Sequence, residues 1–570
     1  MTAPAAASAG RRGPSAAAVL HAAVAAFVAS AMVGVWAAPE PASAMAHLRV
    51  LAAGGLIHAS VSFAGRFTAL RRVAPTAAAV AGALASLYFL TQYRHLVSDA
   101  KVTVPHAIGL ATSAVSRPLG WWSPQTNTVG TVLDGLLLVA GGLALASGPM
   151  ALRMAGASAA AVIGLGMLVS ASRGSWLAAV VTLAVVGVVS WRRRMPAAAL
   201  VGTAVAIGIA GVVLSVVATA VAPGVPWWMR LATLAGRPDR LEVYQHALTL
   251  VRDATFTGIG AGDQFAAALS SYALLIQVPY LTYSHNLALD VWLEHGLLGL
   301  MTWWGLAAAV GVTAVAGERA RLGWRFRSAW AGLLAIHVHG LSDARQSVDA
   351  WTWWPLFLLT GLMAAQVARH RVRVSWAAAL LPTAVGVAIV AAVLAGRGPM
   401  TAAWHANLGA LAQARGDRAG DRSDGSRAAA FAEARTQFDR ALALNADDVS
   451  AQRRLGLLDL ATGNYDGAAA HLRAAWRLDP VSLTTQKAYG LAAVWTGELA
   501  LAADLLHGVP GMVDELNVWS RWRESRGERA LAIAAAQVSL RLDPAQPTAT
   551  DWLRGLESGP PATPGVSGRD

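Results

Sequence analysis

The chain has 570 residues, 55% of them hydrophobic, with a mean hydropathy of +0.47 and a formal net charge of +13. This composition excludes an ordinary soluble protein, because the apolar residues fall in runs long enough to cross a membrane. The charge does not indicate nucleic-acid binding, since residues 397–570 carry 19 basic and 20 acidic side chains and the excess lies in short loops between apolar runs. No cysteine is present, which excludes disulfides and thiolate metal sites.

The first two thirds of the sequence predict a polytopic bundle of membrane helices over residues 1–396. Eleven apolar runs are long enough to be spans, near residues 15–38, 48–65, 73–92, 128–148, 154–171, 174–191, 196–222, 291–316, 328–342, 350–368 and 374–396. One set of the loops between them holds 16 arginines against a single acid, Glu318. By the positive-inside rule this set is cytoplasmic, which places the loop 223–290 and everything after residue 396 on the outer side.

The outer loop 223–290 carries the signal of an amphipathic helix that begins near Pro238. A glycine-rich run follows at residues 257–263. No strand pattern precedes these glycines, so a nucleotide-binding loop is not favoured and a tight turn at the membrane surface is expected.

A polar cluster at residues 282–287 stands where this loop enters the next apolar run. His285 and Asn286 favour a functional site, because polar groups at membrane depth are costly. The alternative is structural: Ser284 and Asn286 cap the transmembrane helix, and His285 lies in the headgroup zone.

Arg173 lies in the short outer connection between the fifth and sixth spans. Its planar guanidinium group is suited to a phosphate, because it binds two oxygens at once. In the alternative interpretation the side chain only extends to the membrane interface and marks it.

Two histidines, His337 and His339, lie at the outer end of the ninth span. Two residues apart on a helix they point to different faces, and no third ligand is evident, so we predict no zinc site there. No carboxylate cluster indicates an obligatory metal, and we predict neither a metal nor another cofactor.

Residues 404–544 contain a repeat with a period of 34 residues, which separates Gly456 from Gly490 and Leu472 from Leu506. The pattern is that of tetratricopeptide repeats, in which paired antiparallel helices stack into a solenoid. We therefore predict an outward-facing α-solenoid over residues 397–558 that binds a protein or polymer partner, and a disordered tail over 559–570.

Several of these segments together resemble the O-antigen ligase and polymerase superfamily, over roughly residues 100–365. Six motifs carry the resemblance, and they occur in the family's order. The first three are Trp-Ser-Pro before Asn127, Ser172-Arg173-Gly174, and Arg240 with Tyr244. The last three are the glycine run with Phe265, the set Ser284-His285-Asn286, Glu294, Gly296 and Gly299, and the pair His339 and Asp343. Tyr244 stands where the family commonly has Trp, and Gln125-Thr126 interrupts its Pro-Asn pair, which leaves the subfamily open.

Members of this superfamily are all-helical membrane glycosyltransferases. The resemblance implies that this chain lies in a bacterial cytoplasmic membrane and transfers a glycan from a polyprenyl-pyrophosphate-linked donor to a glycan, lipid or protein acceptor. Arginines would neutralise the departing pyrophosphate and a histidine would activate the acceptor. The candidate residues are His285 as the catalytic residue, Arg173, Arg240, Arg237 and Arg117 for the pyrophosphate, and Asn286, Glu294 and Asp343 in supporting positions.

Two other classes of protein stay open. A transporter or flippase for lipid-linked sugars would also need outward-facing and intramembrane polar groups, although no repeated halves are evident. A non-catalytic scaffold would recruit partners through the repeats. Because no repeat position supplies a base or a phosphate clamp, we expect a chain truncated after about Gly398 to retain donor cleavage.

Overall fold

A computed structural model describes residues 13–97, 103–120, 125–191, 238–270, 272, 281–342, 345–395, 398–419 and 425–559. Within these ranges the regular structure is helical, apart from one isolated antiparallel bridge between Ser15 and Arg373. The predicted all-α class is confirmed for this part of the chain. The chain forms two compact units.

The helices up to residue 395 are α1 (Ala16–Ala37), α2 (Pro41–Ala64), α3 (Thr68–Leu96), α4 (Thr103–Thr112), α5 (Thr126–Leu145), α6 (Met150–Ser170), α7 (Arg173–Trp191), α8 (Pro238–Asp253), α9 (Phe265–Leu269), α10 (Leu287–Arg319), α11 (Trp324–Gly340), α12 (Trp354–Arg369) and α13 (Trp376–Ala395). A short 3₁₀ turn, Ala350–Trp353, leads into α12. The helices that follow are α14 (Met400–Ala419), α15 (Ser426–Leu444), α16 (Val449–Thr462), α17 (Tyr465–Leu478), α18 (Leu483–Trp495), α19 (Leu499–Leu506), α20 (Met512–Ser525), α21 (Arg529–Leu542) and α22 (Pro547–Ser558).

Eight of the described helices are long and apolar enough to cross a membrane, namely α1, α2, α3, α5, α6, α7, α10 and α13. The predicted ninth and tenth spans form α11 and α12, which are shorter, at 17 and 16 residues. The predicted span 196–222 lies outside the described residues. The long apolar helices support a multi-pass membrane protein, whereas the total of eleven spans stays a prediction.

Small residues let the helices of the first unit, residues 1–36, 41–241 and 283–392, approach closely. A Cβ added to Gly332 of α11 would meet the carbonyl oxygen of Gly135 on α5 at 2.9 Å. Such close packing drives helix association where lipid offers no hydrophobic advantage. In the most apolar 18-residue segment of each helix, 72% of α5 is buried inside the bundle, whereas only 11% of α13 is buried. Helix α5 therefore lies inside the bundle and α13 at its edge.

The second unit contains residues 37–40, 242–282 and 393–570. It joins most of α8 to helices α14–α22, whereas the sequence assigned the whole loop 223–290 to the membrane domain. Gly456 on α16 faces Leu472 of α17, and Gly490 on α18 faces Leu506 of α19. The two contacts repeat at the predicted period of 34 residues. The tetratricopeptide assignment and the boundary at residue 396 stay predictions.

The membrane topology can be tested by cysteine labelling, because the native chain has no thiol. We expect Ala461→Cys, at the exposed end of α16, to react with a membrane-impermeant maleimide in spheroplasts. Ala320→Cys, at the exposed end of α10 in an arginine-rich loop, should react only after the cytoplasmic membrane is opened. The reverse pattern of labelling would overturn the predicted orientation.

Candidate active site

His285 occupies a sharp bend just before α10. Its φ of 61° lies in the left-handed region, which is uncommon for a residue with a Cβ and is often found at functional sites. The residues on either side hold the bend: Ser284 Oγ donates to the Asn286 carbonyl oxygen (3.0 Å), and Asn286 N donates to Ser284 Oγ (3.1 Å). The imidazole ring lies 4.1 Å from the ring of Tyr283, between centroids. The half-buried side chain of His285 therefore has a defined direction.

Asn286 is the N-cap of α10, as the capping interpretation predicts. Its Oδ1 accepts hydrogen bonds from Ala288 N and Leu289 N, both at 3.1 Å. Its Nδ2 donates to the carbonyl oxygen of Leu341 (3.1 Å), just beyond α11. The same residue thus begins the helix and joins the His285 bend to the 339–342 segment.

Arg173 is the first residue of α7, after Ala171 in a left-handed conformation with φ of 51°. Its side chain is exposed. The next residue, Gly174, packs so closely on α11 that an added Cβ would lie 2.6 Å from His339 Cδ2 and 2.8 Å from Ser342 Oγ. Because Asn286 also contacts Leu341, three segments converge in the first unit, and we call residues 172–175, 283–287 and 339–342 the three-segment site.

A buried pair of side chains supports this site from α5 and α11. His339 Nδ1 donates to Asp134 Oδ2 at 2.6 Å, with Ser175 Oγ 3.4 Å from the same nitrogen. Both members of the pair are buried, with side-chain exposures of 2% and 1%. The sequence indicated His339 through the resemblance but gave no sign of Asp134, which lies 205 residues earlier. His337 instead donates to the Leu333 carbonyl oxygen (2.7 Å), so the two histidines do have different partners.

A second group that the sequence missed surrounds Arg345. Its guanidinium carbon lies 5.0 Å from the centroid of the Tyr283 ring, which in turn contacts His285. Arg345 also pairs with Asp349 (3.3 Å) and donates to Thr128 Oγ1 (3.3 Å). Burial works against the charge of Arg345, but Tyr283 and Asp349 outweigh it and raise its pKa. Arg345 is therefore committed to protein partners and braces the aromatic side of the bend.

The structure describes the other candidate residues only in part. Arg240 lies in the first turn of α8, and its side chain is outside what the structure describes, as are Arg237 and Asp343 altogether. Arg117 is exposed, and its carbonyl oxygen accepts from Gln92 Nε2 (3.1 Å). A place for Arg117 in the three-segment site therefore stays a prediction.

The far end of α8 is anchored by a buried ionic cluster in the second unit. Asp253, its last residue, pairs with Arg453 and Arg454 of α16 and accepts a hydrogen bond from Tyr272. Arg454 Nε donates to Asp253 Oδ2 at 2.7 Å. Burial alone would raise the pKa of Asp253, but the two arginines outweigh it and lower the pKa below its ordinary value. The helix predicted from Pro238 is thus confirmed, and α16 holds its end.

The glycine-rich run after α8 forms the tight turn that the sequence predicts. Gly258, Gly260 and Gly262 all have positive φ, of 68°, 99° and 84°. A Cβ on Gly260 would lie 2.4 Å from Ala38 Cα, so no other residue fits there. Asn407 of α14 caps the start of the turn, since its Oδ1 accepts from Phe256 N at 2.9 Å. These glycines therefore permit close packing within the second unit.

Glu294 does not face His285. It is buried on α10, and its carboxylate lies 3.4 Å from Nε2 of His47 on α2. His295 follows it, and these three side chains form a group that could hold a metal ion. The sequence indicated no metal site, because His47 lies 247 residues from Glu294 and no local spacing links them.

Residues 158–304 match a family model described as O-antigen ligase, which spans about a quarter of the chain. The matched segment contains the candidate histidine and three of the four candidate arginines. No curated protein matches the chain, and no solved structure does. The segment match supports the O-antigen ligase and polymerase superfamily and, with it, a glycosyl-transfer role in surface polysaccharide assembly.

Proposed function

We propose that the chain is a glycosyltransferase that moves a glycan from a polyprenyl-pyrophosphate-linked donor to a glycan, lipid or protein acceptor at the outer face of the bacterial cytoplasmic membrane. It acts as a ligase or a polymerase in surface polysaccharide assembly. The observation that best supports this proposal is the convergence of the three-segment site, in which the Arg173 and His285 segments both belong to the O-antigen ligase match.

The proposed step forms a bond from an acceptor oxygen or nitrogen to the anomeric carbon of the donor. The bond from that carbon to the phosphate oxygen breaks, and the polyprenyl pyrophosphate leaves with its electron pair. His285 takes the proton that the acceptor loses, a role that neutral imidazole fills near pH 7. The strained, hydrogen-bonded bend supports this assignment, because a base must keep one direction to be effective.

The leaving pyrophosphate needs positive charge and hydrogen-bond donors as it departs. Arg173 offers an exposed guanidinium group at the N-terminus of α7, where the positive end of the helix dipole also favours an anion. Arg240, in the first turn of α8, is the second proposed contact, with Arg237 and Arg117 as further candidates. Asn286 supports the site by capping α10 and tying the bend to the 339–342 segment.

Replacing His285 by alanine should reduce turnover strongly and leave donor binding nearly intact. General-base catalysis contributes about 10²–10⁴-fold to such reactions. Glutamine at this position tests whether hydrogen bonding alone suffices. The measurement is glycan transfer and donor affinity by purified protein, with His370→Ala as the control, since His370 is an exposed histidine after α12. Full activity in both His285 variants would restrict this histidine to a structural role in the bend.

Release of polyprenyl pyrophosphate by purified protein in detergent would separate a transferase from a transporter or a scaffold, neither of which breaks the donor. A deletion strain separates the two transferase types. Short surface glycan chains would indicate a lost polymerase, whereas accumulated full-length lipid-linked chains would indicate a lost ligase.

A further inference from the structure

Three buried metal-ligating side chains lie outside the three-segment site. His47 comes from α2, and Glu294 and His295 come from consecutive positions on α10, so the group bridges two candidate spans. Each residue offers a ligand atom, and these atoms all lie within 4.8 Å of one another. The three residues are 4%, 5% and 0% exposed. We call them the His47 group.

Each imidazole ring of the His47 group has one nitrogen without a hydrogen-bond partner within the described structure. Nε2 of His47 and Nε2 of His295 are buried and have no hydrogen-bond partner there. Buried polar atoms in native proteins nearly always have a partner, so each such nitrogen requires an explanation. The cost is higher inside a membrane segment, where water is scarce.

The surroundings of His295 select the form of imidazole that binds metals. Ser30 Oγ donates its proton to the Phe27 carbonyl oxygen (2.7 Å) and lies 3.3 Å from His295 Nδ1. Because the serine proton is already used, Nδ1 of His295 carries the hydrogen of this contact. Nε2 is then the unprotonated nitrogen, with its lone pair available to a metal. Ser30 thus acts as a supporting partner of the kind that metal-bound histidines usually have.

Apolar walls shield the group. The ring of Phe27 lies 5.8 Å from that of His295, and it contacts Trp303 and Trp353 at 5.6 and 5.3 Å. A carboxylate in such surroundings is costly unless a positive charge compensates it. The helix changes direction directly after the ligands, since Gly296 has φ of 67° and ψ of −163°.

We propose that His47, Glu294 and His295 bind a divalent transition-metal ion of the zinc type. Two histidines and a glutamate are a ligand set that zinc uses, whereas calcium and magnesium prefer sets made of oxygen. Tetrahedral zinc places ligand atoms about 3.3 Å apart, and His47 Nε2 and Glu294 Oε2 are separated by 3.4 Å. One ion satisfies both imidazole nitrogens, neutralises the carboxylate and fixes α2 to α10.

The test is the metal content of the full-length protein, purified in detergent through a tag that contains no histidine. After treatment with a chelator and equilibration with Zn²⁺, we expect about one tightly held zinc per chain, because the three ligands form a single site. Glu294→Gln and His295→Gln should lose this zinc, because each removes one ligand while keeping the size of the side chain. His337→Gln is the matched control, a half-buried histidine of the same unit that bonds to a backbone carbonyl.

A second readout keeps the test independent of how well each variant folds. Zinc should raise the thermal unfolding temperature of the native protein and of His337→Gln, because ligand that binds only the folded state stabilises it. It should leave the two ligand variants unshifted. Less than stoichiometric zinc on the native protein would overturn the proposal, and so would ligand variants that retain zinc as the control does. Neither result depends on glycan transfer.

Discussion

Replacing Arg173 by alanine should lower release of polyprenyl pyrophosphate by about 10²–10³-fold, the usual loss when one preorganised donor to a developing anion is removed. Arg173 is exposed at the start of α7, so its replacement leaves no cavity in the bundle. The variant should therefore insert and fold normally. Lysine should recover only part of the rate, because it keeps the charge but lacks the two-pronged guanidinium group.

The control is Arg153→Ala, which removes an exposed arginine near the start of α6, where its Nε donates to the Ala144 carbonyl oxygen (3.2 Å). That loop is predicted to be cytoplasmic, so donor cleavage should not change. The assay is release of polyprenyl pyrophosphate from lipid-linked donor, with gel filtration to check folding. Near-native rates for Arg173→Ala would remove this arginine from the site and leave Arg240 as the main candidate.

Features that depend on neighbouring residues could be predicted from the sequence. The cap at Asn286, the helix after Pro238 and the glycine turn all follow from local rules of capping, periodicity and backbone freedom. The apolar runs predicted most of the described spans, because the length of an apolar run is also a local property of the sequence. Local patterns determine where a helix begins and ends, and these are the predictions that the structure confirms.

Features that depend on the rotation of one membrane helix against another could not be predicted. A span that is apolar on all sides has no periodic signal to show which face meets a neighbour. The pairing of His339 with Asp134, and of Glu294 with His47, joins residues more than 200 positions apart. Arg345 was missed for the same reason, since its link to Tyr283 appears only when the helices are packed.

The contacts of α8 bear on the expected effect of removing the chain after residue 398. The sequence led us to expect donor cleavage from a chain truncated after about Gly398. Asp253, at the end of α8, instead depends on Arg453 and Arg454 of the repeat segment, within one compact unit. Truncation would leave this buried carboxylate without its cations, so we now expect the truncated chain to lose donor cleavage through disorder of α8.

Asp253→Asn tests the same dependence without removing the repeats. It leaves two buried arginines without their counter-ion, which costs about 3–5 kcal/mol when a buried pair is broken. Because the pKa of Asp253 is lowered, its contribution to stability is present at neutral pH and is lost only as the pH falls below the ordinary range of aspartate. Hydrogen exchange of peptides that cover residues 243–256 should become faster in the variant.

Arg252→Ala is the matched control, because it removes the neighbouring residue's ion pair with Asp479, in which the arginine side chain is 56% exposed. Exposed ion pairs contribute about 0–1 kcal/mol to stability, so hydrogen exchange and donor cleavage should stay near native values.

In Asp253→Asn we expect donor cleavage to fall on the order of a hundredfold, the effect of misplacing a substrate-binding group by about 1 Å. Faster hydrogen exchange in the α8 peptides together with unchanged donor cleavage would mean that α8, and Arg240 with it, does not hold the donor. The pyrophosphate would then rest on Arg173 and the backbone N–H groups at the start of α7.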